Sequence, residues 1–259
     1  MTACGGAEEV DRSADAEPEI AMQADRSDLA ELLRMGQPVF GVFSGPKTRE
    51  QGAMIAAETD ADFILYSMES GPFDVAGMKS YLEGMKEGAG DDALYRLPVV
   101  LRVPPIEDEA AVRAQLDEAL PTGIGGIVFP HVARPDQAAT SSELLPGAWP
   151  QDPMGDQVNI LIVEDHEGIE NVREIMATPG LSVVFAGPGD LRRAYEGDME
   201  QVETAIQAVL AACKEFDVVC GVTAGVDDIG ERLEQGFGMI IVTEPEAVAV
   251  GMAAAGRAR

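Results

Sequence analysis

At 259 residues and 46% hydrophobic, with 18 basic against 46 acidic side chains, the chain carries a formal net charge of −28. Such a surface repels phosphate and excludes nucleic acid as a partner; the charge reads as a solvated acidic face, not as a site for a cationic partner. The length suits a single α/β barrel, typically about 250 residues, and no apolar run reaches the ~18 residues of a transmembrane span.

Residues 1–25 hold seven acidic side chains against one arginine and few large apolar groups, which predicts a disordered acidic tail. Residues 26–259 are then one domain. Within the tail, Met1-Thr2-Ala3-Cys4-Gly5-Gly6 has the small-residue character of a bacterial lipoprotein processing site. The charged and apolar regions that would precede such a site are absent. Two readings follow: a cytoplasmic protein in which the match is chance, or an exported lipoprotein with a truncated start. Cys213 lies in an apolar helical run and Cys220 in an apolar strand, and both read as small core residues.

Residues 28–35 read as a short helix. Eight apolar, β-branched-rich runs follow, at 38–43, 62–66, 98–103, 124–129, 158–163, 181–186, 218–223 and 238–243. Helical spacing separates most of them, at 51–58, 75–88, 107–120, 168–177, 199–216 and 227–235. Strands alternating with helices imply parallel pairing through right-handed crossovers. Eight units in this length fit a closed (β/α)8 TIM barrel. An open doubly wound sheet would carry a Gly-rich phosphate loop after its first strand, and Ser44-Gly45-Pro46-Lys47 is not one. The fourth unit is weak: 133–145 is only partly helix-like, and 147–153 reads as an irregular loop.

In such a barrel the chemistry sits where the strands end. The residues there are Ser44, Glu69, Ser70, Arg102, His131, Glu164, Asp190, Thr223 and Thr243. Glu164 ends Asn159-Ile160-Leu161-Ile162-Val163-Glu164, and Asp190 follows a second apolar run 26 positions later. A strand–helix–strand unit brings both carboxylates to one face, where oxygen donors suit a hard divalent cation. Arg102 is embedded in an apolar strand and needs an anionic partner, either a ligand carboxylate or Glu69. His131 and His166 are the two histidines. Both fit loop or capping roles; His131, at the mouth, alternatively faces the site.

The chain resembles the HpcH/HpaI aldolase family, metal-dependent pyruvate aldolases similar to the citrate lyase β-subunit. The resemblance runs from about Gln37 to Thr243. It rests on the segment Asp62-Phe63-Ile64-Leu65-Tyr66-Ser67-Met68-Glu69-Ser70-Gly71-Pro72-Phe73-Asp74, on Leu101-Arg102-Val103-Pro104 and on Ile127-Val128-Phe129-Pro130-His131-Val132. It rests further on Val163-Glu164 and on Phe185-Ala186-Gly187-Pro188-Gly189-Asp190-Leu191. The resemblance implies Mg2+, Mn2+ or Co2+ held by Glu164 and Asp190, and a 2-oxo acid such as pyruvate or oxaloacetate chelating that ion. It implies that Arg102 grips the substrate and stabilises an enolate, and that the backbone at Gly189 approaches the substrate carboxylate. It also implies a homo-oligomer, trimer or hexamer, with the Ala-rich end at 247–255 either exchanged between subunits or closing the barrel.

Family members commonly carry histidine where this chain has Ser70 and aspartate where it has Ser67. Those two look like the proton-handling pair, and a serine hydroxyl does not replace an imidazole as a base near neutral pH. The candidate catalytic residues are therefore Arg102, Glu69 and Ser70, with Arg102, Gly189 and Asp190 on the substrate. The sequence supports a divalent-metal C–C lyase or aldolase acting on 2-oxo acids. Its alternative is an impaired relative that binds metal and a small oxo- or dicarboxylate without turnover.

Overall fold

The computed structural model describes Met1 and residues 29–257, so the expected acidic tail and Cys4 lie outside the described residues. Each of the eight apolar runs forms a strand. In chain order the strands are β1 (Val39–Phe43), β2 (Phe63–Ser67), β3 (Val99–Arg102), β4 (Gly126–Phe129), β5 (Ala148–Trp149), β6 (Gln157–Val163), β7 (Val183–Ala186), β8 (Val219–Ala224) and β9 (Met239–Val242). Omitting β5, each pairs in parallel with the next, and β1 closes on β9 with Val39, Phe40 and Gly41 opposite Met239, Ile240 and Ile241. The result is a closed (β/α)8 TIM barrel.

Strand periodicity sorts the side chains onto two faces. Inward go Val39, Phe63, Leu65, Val100, Val128, Val158, Ile160, Ile162, Val183, Phe185, Met239 and Ile241, all buried in one cluster. Two inner positions are glycine because large rings fill the space beside them. A Cβ on Gly41 would lie 2.2 Å from the Phe63 ring, and one on Gly221 would lie 2.2 Å from Phe185. The expected first helix forms as α1 (Leu29–Arg34), and its Leu29, Ala30, Leu32 and Leu33 join the inner cluster. Arg34 donates to the Gly155 carbonyl at 2.8 Å, just before β6 begins, so α1 plugs the end opposite the strand C-termini.

Outward-facing residues pack under the helices. α2 (Arg49–Glu58), α3 (Val75–Ala89), α5 (Glu109–Ala119) and α10 (Met199–Phe216) form close to the residues their spacing predicts. Side chains of Thr48, Asp74, Asp108 and Asp198 accept the orphan N–H groups of their first turns. A four-residue helix, α4 (Ala93–Arg96), precedes β3. Helices α2 and α3 touch backbone to backbone: a Cβ on Gly84 would sit 2.0 Å from the Arg49 carbonyl oxygen, and one on Gly88 2.0 Å from that of Ala53.

The weak fourth unit is a full helix, α6 (Pro135–Leu144). Pro135 starts it, and the Gln137 side chain accepts from the Ala133 and Arg134 N–H groups. Its pattern looked broken because Ser141 and Ser142 are buried, not exposed; both accept from the Asn159 side chain, at 3.1 and 3.4 Å. The segment expected as an irregular loop contains β5, which lies beside the start of β6 with Trp149 opposite Val158. The single helix expected at 168–177 divides at Asn171 into α7 (His166–Glu170) and α8 (Val172–Met176). A helix not expected, α9 (Pro188–Ala194), follows β7, and α11 (Ile229–Gln235) and α12 (Ala247–Ala254) complete the set. Cys213 and Cys220 are free, buried core residues. Among the described residues, no helix is long and apolar enough to cross a membrane.

The close α2–α3 contact generates a paired expectation. Gly84→Val forces a side chain into the Arg49 backbone and should cost about 1–3 kcal/mol in urea unfolding. Gly230→Ala in α11, where a Cβ meets nothing within 4 Å, should be neutral or stabilising by up to about 1 kcal/mol. Equal effects would contradict the packing described.

Candidate active site and metal centre

The parity that buries Phe63 and Leu65 inward also aims Ser67 and Glu69 at the barrel mouth. The same alternation turns Arg102 in after Val100, and Glu164 in after Val158, Ile160 and Ile162. Glu69, Arg102 and Glu164 line one cavity of about 410 Å³ at the strand C-termini, together with His131, Gly187, Gly189, Asp190, Arg193 and Thr223.

Glu164 is the buried member, 4% exposed. Burial pushes its carboxyl up to about 7, with the neighbouring Glu69 charge adding to the rise; the hydrogen bond from the His131 backbone and the charge of Arg102 oppose it. Gly187 makes the space: a Cβ there would lie 2.4 Å from Glu164 Oε2. Arg102 Nη2 pairs with Glu69 Oε2 at 2.9 Å, and its Nε donates to Ser67 Oγ at 2.9 Å. Of the two partners expected for the strand-embedded guanidinium, Glu69 is the one engaged here.

His131 enters by a route that alternation does not predict. Continuing β4 in extended form would send residue 131 outward, since Phe129 points out and Val128 in. Instead His131 has φ 52°, a left-handed conformation that costs a non-glycine residue roughly 1–2 kcal/mol. The turn lets its backbone N–H donate to Glu164 Oε1 at 3.0 Å. The ring then lies between two carboxylates, with Nδ1 3.3 Å from Glu164 Oε1 and Nε2 3.3 Å from Glu69 Oε1. Each ring nitrogen therefore faces a carboxylate oxygen. Glu69, His131 and Glu164 each offer a ligand atom within 4.8 Å of the others, a group that could hold a metal ion.

Asp190 sits in the first turn of α9, not directly on the strand end, and its carboxylate is paired with Arg193 one turn on. Both line the cavity containing Glu164. Gly189 also lines it, and a Cβ there would meet nothing within 4 Å. Ser70 is exposed and is not among the residues lining the cavity. Ser44 is buried, with its carbonyl accepting from the Tyr81 hydroxyl at 3.1 Å. Thr243 borders a separate groove between α2 and α12. His166 sits outside the cavity: its Nε2 lies 2.8 Å from the Ala194 carbonyl oxygen and its ring packs edge-on against Tyr195. Arg193 is a charged cavity residue that strand-end reasoning did not single out. Its signal was the i, i+3 spacing from Asp190 on an unrecognised helix.

A closed parallel barrel with carboxylates, a guanidinium and an imidazole gathered at the strand C-termini defines a TIM-barrel protein with an enzyme-like site and a group able to hold a metal. The chain belongs to the HpcH/HpaI aldolase/citrate lyase family, whose model matches residues 40–243. It is 27% identical over 209 residues to 5-keto-4-deoxy-D-glucarate aldolase of Citrobacter koseri, spanning 70% of this chain and 76% of that protein. Among solved structures it resembles an HpcH/HpaI aldolase/citrate lyase family protein from Burkholderia cenocepacia, with TM-score 0.70, 24% identity, and coverage of 86% of this chain and 94% of that one. It also resembles the citrate lyase β-subunit from M. tuberculosis, solved with oxaloacetate and magnesium, with TM-score 0.61, 18% identity, and coverage of 86% and 99%.

The Glu164 environment sets a pH dependence. Its folded carboxyl titrates near 7, against 4.5 when unperturbed, so the folded state binds the proton more tightly than the unfolded chain. The associated stability is full below about 4.5 and is lost as pH rises through about 7, an effect on the order of 3 kcal/mol. With chelator present, melting temperatures of the wild type should fall relative to Glu164→Gln between pH 5 and pH 8. Parallel curves would contradict the assignment. Separately, Gly187→Ala should displace the Glu164 carboxylate and weaken divalent-cation binding about tenfold or more in calorimetry, with far-UV circular dichroism unchanged.

Proposed function

We propose that the protein is a divalent-metal-dependent carbon–carbon lyase of the aldolase type, acting on a small 2-oxo acid of the pyruvate or oxaloacetate kind. The observation that carries this reading is the convergence of Glu164, Asp190, Arg102 and Glu69 on one cavity at the strand C-termini. Family membership supports the reaction class. Oxaloacetate and magnesium in the M. tuberculosis relative support the substrate class and the need for a cation.

The residues fit such an ion: Glu164 offers a carboxylate in a notch cleared by Gly187, Asp190 a second from α9, and oxygen donors suit Mg2+, Mn2+ or Co2+. A divalent cation bound there would supply Lewis acidity toward the carbonyl oxygen of a 2-oxo acid as a C–C bond breaks. Asp190 gives up its pairing with Arg193 to take part, which leaves the exposed Arg193 guanidinium at the cavity rim. Arg102 presents its guanidinium from the cavity wall, held by Ser67 and Glu69, and binds the carboxylate or developing oxyanion of the substrate. Glu69 is the carboxylate left to accept a proton at Oε1 or Oε2, because the Ser70 hydroxyl lies off the cavity. We further propose that the chain works as a homo-oligomer, trimeric or hexameric.

The position of Ser70 favours a second reading, in which the chain binds metal and oxo acid without turnover. With Mn2+ or Co2+ present, loss of pyruvate methyl protons to deuterium oxide and decarboxylation of oxaloacetate should both exceed the metal-only blank. Tight pyruvate binding with neither reaction would replace the lyase by the binder. In calorimetry, Glu164→Gln and Asp190→Asn should each weaken the metal about tenfold or more, whereas Arg102→Ala should spare the metal and lose the oxo acid. Unchanged metal affinity in the two carboxylate variants would remove their assigned roles.

A further inference from the structure

We propose that His131 is a nitrogen ligand of the metal centre, joining Glu164 through Nδ1 with Glu69 behind Nε2, and that it biases this chain toward first-row transition ions over Mg2+. The inference rests on the reading that a divalent cation binds at Glu164 and concerns which further donors this chain supplies. Three observations carry it, and each is a matter of geometry.

The first is separation. Two ligand atoms each about 2.0–2.2 Å from one ion, and roughly 100° apart, lie about 3.3 Å from each other. The separation between Nδ1 and Glu164 Oε1 is 3.3 Å. Among the described residues neither ring nitrogen has a hydrogen-bond partner, although the backbone N–H of the same residue donates to Glu164 Oε1 at 3.0 Å. The ring is therefore spaced like a co-ligand, not like a donor satisfied by its neighbours. With Nδ1 toward the ion beside Glu164, Nε2 faces the Glu69 carboxylate, which is how ligating imidazoles are commonly held.

The second is the backbone. His131 adopts φ 52° at the one place along β4 where the turn brings an outward-bound residue into the cavity. A left-handed conformation outside glycine persists where surrounding structure enforces it, and such positions cluster at ligand clamps. The third is that one donor atom from each of Glu69, His131 and Glu164 lies within 4.8 Å of the other two, so the ring and both carboxylates form one compact group. Asp190, by contrast, is engaged by Arg193 in this structure.

An imidazole in the donor set changes metal choice. Mg2+ prefers oxygen and keeps its waters, whereas Mn2+, Co2+ and Zn2+ accept imidazole, with affinity rising toward the later metals. Calorimetry should therefore show Co2+ binding far more tightly than Mg2+. His131→Gln should reduce Co2+ affinity about tenfold or more while changing Mg2+ affinity less than about threefold. Pulsed EPR of the Mn2+-loaded protein should show coupling to a directly bound 14N that disappears in the variant. His131→Gly, which suits the left-handed backbone, guards against misfolding as an explanation: it should remain folded and lose the same coupling.

Mn2+ bound without 14N coupling, or an equal loss of Co2+ and Mg2+ affinity in His131→Gln, overturns the ligand assignment and leaves the proposed lyase standing. No binding of any divalent cation to the wild type overturns both.

Discussion

The site is organised around one buried carboxylate. Glu164 follows an inward-facing strand in a barrel whose interior is filled by Phe63, Phe185 and aliphatic side chains, and it is itself buried. An ionised carboxylate in such a place needs compensation, by a proton or by a cation. The surroundings favour the second. Gly187 withholds a Cβ that would collide with Oε2, the His131 backbone supplies one N–H, and among the described residues no lysine or arginine is hydrogen-bonded to Glu164. A group placed only for packing would not require these accommodations.

Charge at the cavity wall points the same way. Glu69, Glu164 and Asp190 oppose Arg102 and Arg193, a balance of −1 with His131 neutral and all three carboxylates ionised. A divalent cation bound as proposed would convert the wall to +1, which would suit the anionic oxo acid of the proposed function. The remaining surface of a chain at −28 offers an anion little attraction elsewhere.

Much of this was legible before any coordinates. Eight β-branched runs of strand length, spaced by helical periodicity, specify a closed barrel because parallel strands need crossovers and buried edges. Alternation within the runs aims Glu69, Arg102 and Glu164 inward, since each continues an apolar series at even spacing. Other features depend on properties that no local pattern reveals. The entry of His131 depends on a left-handed backbone, and nothing in Phe129-Pro130-His131-Val132 demands one. Helix α9 was missed because Pro188-Gly189 reads as a breaker, although proline at the first helical position is a start signal. The helicity of α6 was obscured by two serines that are buried against Asn159, a tertiary partner 17 to 18 residues away.

The account's central claim is that a divalent cation is held at Glu164, and anomalous diffraction tests it most directly. Crystals soaked in Mn2+ and measured at the manganese absorption edge should show a peak inside the barrel mouth, about 2–2.5 Å from a Glu164 carboxylate oxygen. A map with peaks only on surface carboxylates, and none at the mouth under saturating metal, would contradict it.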